Sequence, residues 1–386
     1  MGNTDEFRGY FKQKKEKIEE IFPREYIVSS ILDHMYLNRH ILGIRGFRRT
    51  GKSTILKYLL SFFDSENFDV AYVDVESVSK NVPKDKIIDG IEKAIHEKTD
   101  KYWVIKEIIE KGASLRNENL GKFVDIVYKH IDKWKSHDKI KIFALDEVQY
   151  IALKLGDDGN TKFVEFVNEL TKNDDSVFII FTGSQVGTFN NLVDIFDEKY
   201  YYDFKRENQV INIGQLSRRE VQLLLLQGFK QNNTQIPYEE FPDNIYDTIG
   251  GIIGYVTDTG KDIIKAIKLG WDINEIILSN QDNVFTAITK ELWKIDKSLD
   301  LVPDYKKPRI NMSPSIFALR YVANNSGVKM TEMIEELIKK FPNNVDEDIA
   351  KTIVNMLIQI DLLIKKNHEK LDTHNFIKNY TRWERG

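Results

Sequence analysis

Short apolar runs alternate with amphipathic stretches along the first half of the chain, and the alternation stops near residue 215. Ile41-Leu42-Gly43-Ile44, Val70-Ala71-Tyr72-Val73-Asp74-Val75, Ile140-Lys141-Ile142-Phe143-Ala144-Leu145 and Val177-Phe178-Ile179-Ile180-Phe181 read as strands buried on both faces, the pattern of a parallel sheet covered by helices. Val210-Ile211-Asn212-Ile213 is expected as the last of them. Between the runs the apolar positions take helical spacing: Ile55, Leu56, Leu59, Phe62 and Phe63, then segments around Ile87 to Ile95, Trp103 to Ile109, Phe123 to Trp134 and Thr161 to Leu170. Ahead of the first strand, residues 5 to 21 mix charges around Phe7, Phe11, Ile18 and Ile21, which predicts a solvated helix with a thin apolar stripe. Phe22-Pro23-Arg24-Glu25 breaks it, and Ile27, Ile31, Leu32 and Met35 restart a helix.

Beyond residue 216 the pattern is helical. Ser217 and Glu220 form a capping box opening a helix over Val221 to Phe229, Gly250-Gly251 interrupts, and helices follow through Ile263 to Ile267 and Val284 to Ile295. Residues 303 to 308, with Pro303 and Pro308 around Lys306 and Lys307, read as a linker. After it come helices at Ser315 to Ala323, Thr331 to Lys340 and Asp346 to Ile360, then a hairpin from Leu362 to Phe376. Three helices and a hairpin describe a winged helix.

Two strand ends carry the candidate chemistry. Gly46-Phe47-Arg48-Arg49-Thr50-Gly51-Lys52-Ser53 follows the first strand and opens a helix, the context a phosphate-binding P-loop requires. Its glycines let the backbone N–H groups curl around phosphate oxygens, and the helix dipole points at the same anion. Gly46, Arg48, Arg49, Thr50, Gly51, Lys52, Ser53 and Thr54 are the expected nucleotide contacts, with Lys52 reaching the β- and γ-phosphates and the Ser53 hydroxyl coordinating Mg²⁺. Arg48 and Arg49 could instead serve a neighbouring subunit or face solvent.

The strand ending in Leu145 is followed by Asp146 and Glu147. In open α/β sheets ligands bind beyond the carboxyl ends of the strands. Asp146 is the expected Mg²⁺-side carboxylate and Glu147 the general base for an attacking water. Thr182-Gly183-Ser184 ends the next strand, where Ser184 could sense the γ-phosphate. Thr171-Lys172-Asn173-Asp174 looks like a guanine-reading loop, but it precedes a strand instead of following one, and Gln149 stands where a GTPase switch has glycine. ATP is therefore favoured over GTP.

Composition narrows the rest. The 386 residues carry no cysteine, which removes disulfides, thiol catalysis and thiolate metal sites. A net charge of -4 announces no general affinity for nucleic acid. From Lys306 onward about 14 basic residues face about 10 acidic ones, a local surplus that admits double-stranded DNA. Asp346, Glu347 and Asp348 at the start of the third C-terminal helix would repel a phosphate backbone, so a protein-binding winged helix stays open. None of the seven histidines shows metal-ligand spacing. The N-terminus has no apolar core of a signal peptide and no stretch is apolar enough to span a membrane, which predicts a cytoplasmic protein.

The P-loop, Leu145-Asp146-Glu147-Val148-Gln149, Thr182-Gly183-Ser184 and Gly250-Gly251-Ile252-Ile253-Gly254-Tyr255 together resemble the archaeal ATPase family, a branch of STAND-type P-loop NTPases related to AAA+ and origin-recognition ATPases. The resemblance implies an α/β fold: a three-layer core around a parallel sheet of order 5-1-4-3-2, a helical lid and a C-terminal winged helix. It implies an ATPase core over 31–215 preceded by an N-terminal helix and Arg-Glu box over 1–30. The lid would span 216–302 and the winged helix 303–386. Lys52, Ser53 and Asp146 would bind ATP and Mg²⁺, Glu147 would activate water, Ser184 would sense nucleotide, and Arg206 is the candidate arginine before the last strand. The sequence departs from the family pattern at Phe47 and Ile253, both proline in the family, and in an Arg-Glu box one residue short. ATP hydrolysis driving a conformational switch on DNA or a protein partner is the leading expectation, and a homo-oligomer is admitted. The alternative is a nucleotide-gated DNA-binding regulator with little turnover.

Overall fold

The computed structural model describes residues 7–11, 21–37, 40–61, 63, 68–81, 91, 140–151, 157–172, 176–184, 189, 192–196, 209–299, 301, 313–366 and 370–380. The helices expected around Ile87 to Ile95, Trp103 to Ile109 and Phe123 to Trp134, the linker at 303 to 308 and Arg206 lie outside the described residues. The chain divides into two compact units, one of residues 14–45 and 51–213, the other of residues 1–13, 46–50 and 214–386.

In the first unit, α1 (Glu25–Tyr36) precedes β1 (Ile41–Arg45), and α2 (Lys52–Leu60), β2 (Phe68–Asp74), α3 (Val75–Asn81) and β3 (Ile140–Asp146) follow. Then come α4 (Asp157–Lys172), β4 (Val177–Gly183) and β5 (Val210–Asn212). Among the described residues these strands form one sheet in the order β2-β3-β4-β1-β5, parallel at every pairing. That is the expected 5-1-4-3-2 order. A core on each face of the sheet explains the continuous apolar runs. Ile31, Leu32, Leu56 and Leu59 pack on Ile44, Ile142 and Ile180, while Phe163, Val164 and Val167 pack on Phe143, Leu145 and Phe181. Register places the carboxyl ends side by side, with Arg45 opposite Gly183, Leu145 opposite Phe181 and Asp146 opposite Asp74.

Among its described residues the second unit carries the helices α5 (Arg218–Gln231), α6 (Phe241–Ile249), α7 (Ile253–Leu269), α8 (Ile273–Ser298) and α9 (Pro314–Asn324). The capping box forms, Ser217 accepting from the Glu220 N–H while the Glu220 carboxylate accepts from the Ser217 N–H. Gly251 lets the chain pass close to its neighbour: a Cβ there would lie 2.1 Å from the Leu216 carbonyl oxygen. Next come β6 (Val328–Lys329), α10 (Met330–Lys340), α11 (Glu347–Gln359), β7 (Leu363–Lys366), β8 (Lys370–Thr373) and α12 (Asn375–Lys378). The three strands pair antiparallel in the order β6-β8-β7.

The N-terminal helix expected over 5 to 21 is absent where the chain is described there. Residues 9–11 make one 3-10 turn instead, opened by Gly9 in a left-handed conformation, φ 57°. Phe11 leaves the expected stripe for a notch on α5 and α7, where Gly228 and Gly260 provide the room. A Cβ on either would sit within 2.5 Å of its ring.

One buried acid in this unit makes a pH prediction. Asp296 on α8 accepts from both the hydroxyl and the N–H of Ser315 and from the Ser313 hydroxyl. Burial raises its pKa to about 6 and those hydrogen bonds offset only part of the rise. The folded state therefore binds this proton more tightly than the unfolded chain, whose carboxyl titrates at about 3.9. The stabilisation is complete below that value and is lost as pH rises through about 6. Roughly 3 kcal/mol is expected to disappear between about pH 4 and about pH 7, and Asp296→Asn should remove this part of the slope in urea unfolding.

Candidate functional site

The loop after β1 has the backbone its glycines foretell at one position and departs at another. Gly51 is left-handed, φ 92°, and serves as N-cap of α2. Arg49, two residues earlier, is also left-handed, φ 69°, where a side chain is disfavoured. Phe47 is buried, and its carbonyl accepts from both the N–H and the hydroxyl of Thr50, closing the turn. Lys52 begins α2 and is 4% exposed, an ammonium held within the fold. Ser53 and Thr54 follow on the first turn of α2, where helix N–H groups are free of intrahelical partners. Ile253 takes the first position of α7, a place a proline would also fit.

At the end of β3 the two carboxylates are separated by their surroundings. Asp146 is 4% exposed. One of its oxygens accepts from the Tyr72 hydroxyl at 2.5 Å and the other from the Thr182 hydroxyl. Burial raises the Tyr72 pKa, and the charge and hydrogen bond of Asp146 raise it further, so the phenol stays protonated and remains a donor. Lys57 on α2 stands with its ammonium 4.6 Å from the centroid of the Tyr72 ring. Thr182 binds both acids: besides donating to Asp146, its hydroxyl accepts from the Glu147 N–H at 3.0 Å, and its carbonyl accepts from the Val148 N–H at 2.9 Å.

Glu147 is left-handed, φ 59°, a backbone state that costs a non-glycine residue about 1 kcal/mol or more. Its carboxylate accepts from the Ser184 hydroxyl at 2.8 Å and from the Gln149 amide. The same amide donates to Ser184 at 3.0 Å. Ser184 follows β4, which lies between β1 and β3 in the sheet. Glu147, Ser184 and Gln149 are thus brought together, as are Asp146, Thr182 and Tyr72. Sequence reading named Glu147, Ser184 and Asp146 as site residues, quoted Thr182 and Gln149 only as members of their motifs, and placed Tyr72 only in its strand. Gln149 did carry a signal, because a polar side chain two positions after the acids faces back across the turn. Tyr72 carried none, since it sits within an apolar run.

A five-stranded parallel sheet with a glycine loop after one strand and acids after another, the intervening strand ending between them, defines the P-loop nucleoside-triphosphatase fold. The chain belongs to the family of ATPase domains found predominantly in Archaea, whose profile matches residues 22–259. Among solved structures, a Walker-type ATPase of Pyrococcus abyssi is similar over 95% of this chain and 98% of its own, with 18% identity and a TM-score of 0.61. At that identity the likeness shows the fold alone. The Aeropyrum pernix ORC2 protein, in ADPNP–ADP complexes, is 14% identical over 96% of this chain and 94% of its own, at a TM-score of 0.49. No curated protein matches the chain. Among the described residues no helix is long and apolar enough to cross a membrane.

Proposed function

We propose that the chain binds ATP with Mg²⁺ and hydrolyses it, with Glu147 taking a proton from the attacking water. The reading rests above all on Glu147, a carboxylate at the carboxyl end of β3, which β4 separates from the strand that leads to the P-loop helix, with Ser184 at the end of β4 within hydrogen-bond reach. Phosphate oxygens would lie against the N–H groups of Gly46 to Ser53, with Lys52 as the counter-charge and Arg48, Arg49, Thr50 and Thr54 at the margins.

Ser53 and Asp146 would hold Mg²⁺. The donor set fits: a hydroxyl and a buried carboxylate suit a hard cation that retains part of its water shell. Each Asp146 oxygen accepts one protein hydrogen bond and keeps a further lone pair available. When bound, the ion would neutralise charge developing on the β- and γ-phosphate oxygens. Glu147 would accept the water proton as the water oxygen bonds to the γ-phosphorus and the bond to the β-phosphate bridging oxygen breaks, releasing ADP. Ser184, hydrogen-bonded to Glu147, would report the γ-phosphate to it. Arg206 remains a proposed nucleotide contact.

A conformational switch of the helical lid and winged helix coupled to turnover, acting on DNA or a protein partner, with homo-oligomers admitted, completes the proposal. For DNA, Lys365, Lys366 and Lys370 of the β7–β8 hairpin are the candidate phosphate contacts. At the start of α11, Asp346 is engaged as an N-cap to Ile349 and Glu347 pairs with Lys351, which reduces the repulsion expected there. The second reading, a nucleotide-gated regulator with little turnover, is favoured by the two donors that hold the Glu147 carboxylate.

Calorimetric titration with ATP tests the binding half. One site per chain is expected, weakened at least about tenfold when Mg²⁺ is chelated. Equal affinity with and without the metal would remove Ser53 and Asp146 from the proposed role. In the same buffers, duplex DNA affinity should fall as salt rises if the hairpin lysines touch phosphates.

A further inference from the structure

Arg49 stands left-handed at the crest of the loop, φ 69°. Glycine would accept that conformation freely, whereas a residue with a Cβ is disfavoured there by about 1–2 kcal/mol. Contacts within its own unit hold it in place. The Gly254 N–H donates to the Arg49 carbonyl at 3.0 Å. The guanidinium donates to the Gly254 carbonyl at 3.3 Å and to the Asp258 carboxylate. Its central carbon lies 4.7 Å from the centroid of the Tyr255 ring. Gly254 admits this approach because it has no side chain: a Cβ would lie 2.8 Å from both Cβ and Nε of Arg49.

Gly254, Tyr255 and Asp258 occupy the first turns of α7. The Arg49–Asp258 ion pair is 39% exposed on both sides, so its charge attraction alone contributes little. The contacts together fix a backbone conformation. In a phosphate-binding loop, alternation of right- and left-handed residues is what turns successive N–H groups toward one point.

We propose that Gly254, Tyr255 and Asp258 are positioning residues for the phosphate loop: by holding Arg49 left-handed, the first turns of α7 pre-form the N–H cradle and so set part of the nucleotide affinity. The proposal rests on the ATP-binding reading and adds to it a route by which α7 tunes the site. It assigns the arginine a role through its backbone and does not require the guanidinium to touch phosphate.

Arg49→Ala and Arg49→Gly separate those roles. Both remove the same charge and any contact it makes, and only alanine keeps a Cβ that resists the left-handed state. In equilibrium titration of the full chain with Mg-ATP, Arg49→Gly is expected to bind about tenfold more tightly than Arg49→Ala. Asp258→Ala should weaken binding about threefold in the natural background and have no further effect on Arg49→Gly. Equal affinities for the two Arg49 variants, or an Asp258→Ala effect of the same size in both backgrounds, would overturn the proposal while leaving ATP binding intact. Absence of ATP binding by the unmodified chain would instead overturn the nucleotide reading, and this proposal with it.

Discussion

Glu147→Gln is expected to keep ATP bound and to slow its hydrolysis by about 10²- to 10⁴-fold, the range a positioned general base contributes. Glutamine has nearly the size of glutamate, and its amide oxygen can still accept from Ser184 and Gln149, so the local network that holds residue 147 is preserved. What the amide lacks is a basic oxygen. The loss should therefore appear in the chemical step under single-turnover conditions, with ATP affinity changed by less than about threefold. If hydrolysis continues at the natural rate, Glu147 is not the base and another group activates the water.

Lys52→Ala should have the opposite profile, an ATP affinity reduced by about 100-fold, because the bound phosphates would lose the only ammonium the loop offers. Arginine is a poor substitute at this position, since a planar fork does not replace a compact point charge. Thermal melting of the unliganded variant, measured alongside, separates loss of binding from loss of fold. Affinity within about threefold of the natural chain would mean that the loop does not hold phosphate through Lys52.

Much of this fold is legible in the sequence because its central physics is local. A strand buried on both faces must be apolar throughout, so β1 to β4 stand out as runs, and their sheet order came with the family that the loop and acid motifs resemble. The acids at the end of β3 are equally visible, as they interrupt an apolar run at the point where ligands gather. What escaped depends on long-range or backbone facts. Tyr72 is 74 residues from Asp146, and nothing in an apolar strand announces that its hydroxyl reaches a carboxylate. Thr182 belongs to β4, but only the register of that strand with β3 brings its hydroxyl to both acids. Arg49 in a left-handed conformation contradicts the preference of its residue type, and the contacts that compensate come from more than 200 residues later. Residues 9–11 depart from the expected stripe for a related reason: Gly9 permits a turn, and the notches at Gly228 and Gly260 that receive Phe11 are on other helices.

The central claim is that this ATPase-family chain turns ATP over with its own carboxylate. Phosphate release in a single turnover, with enzyme in excess over ATP and Mg²⁺ present, tests it most directly. The natural chain is expected to convert all of the bound ATP and Glu147→Gln almost none over the same interval. ATP that stays bound and intact on the natural chain would contradict it.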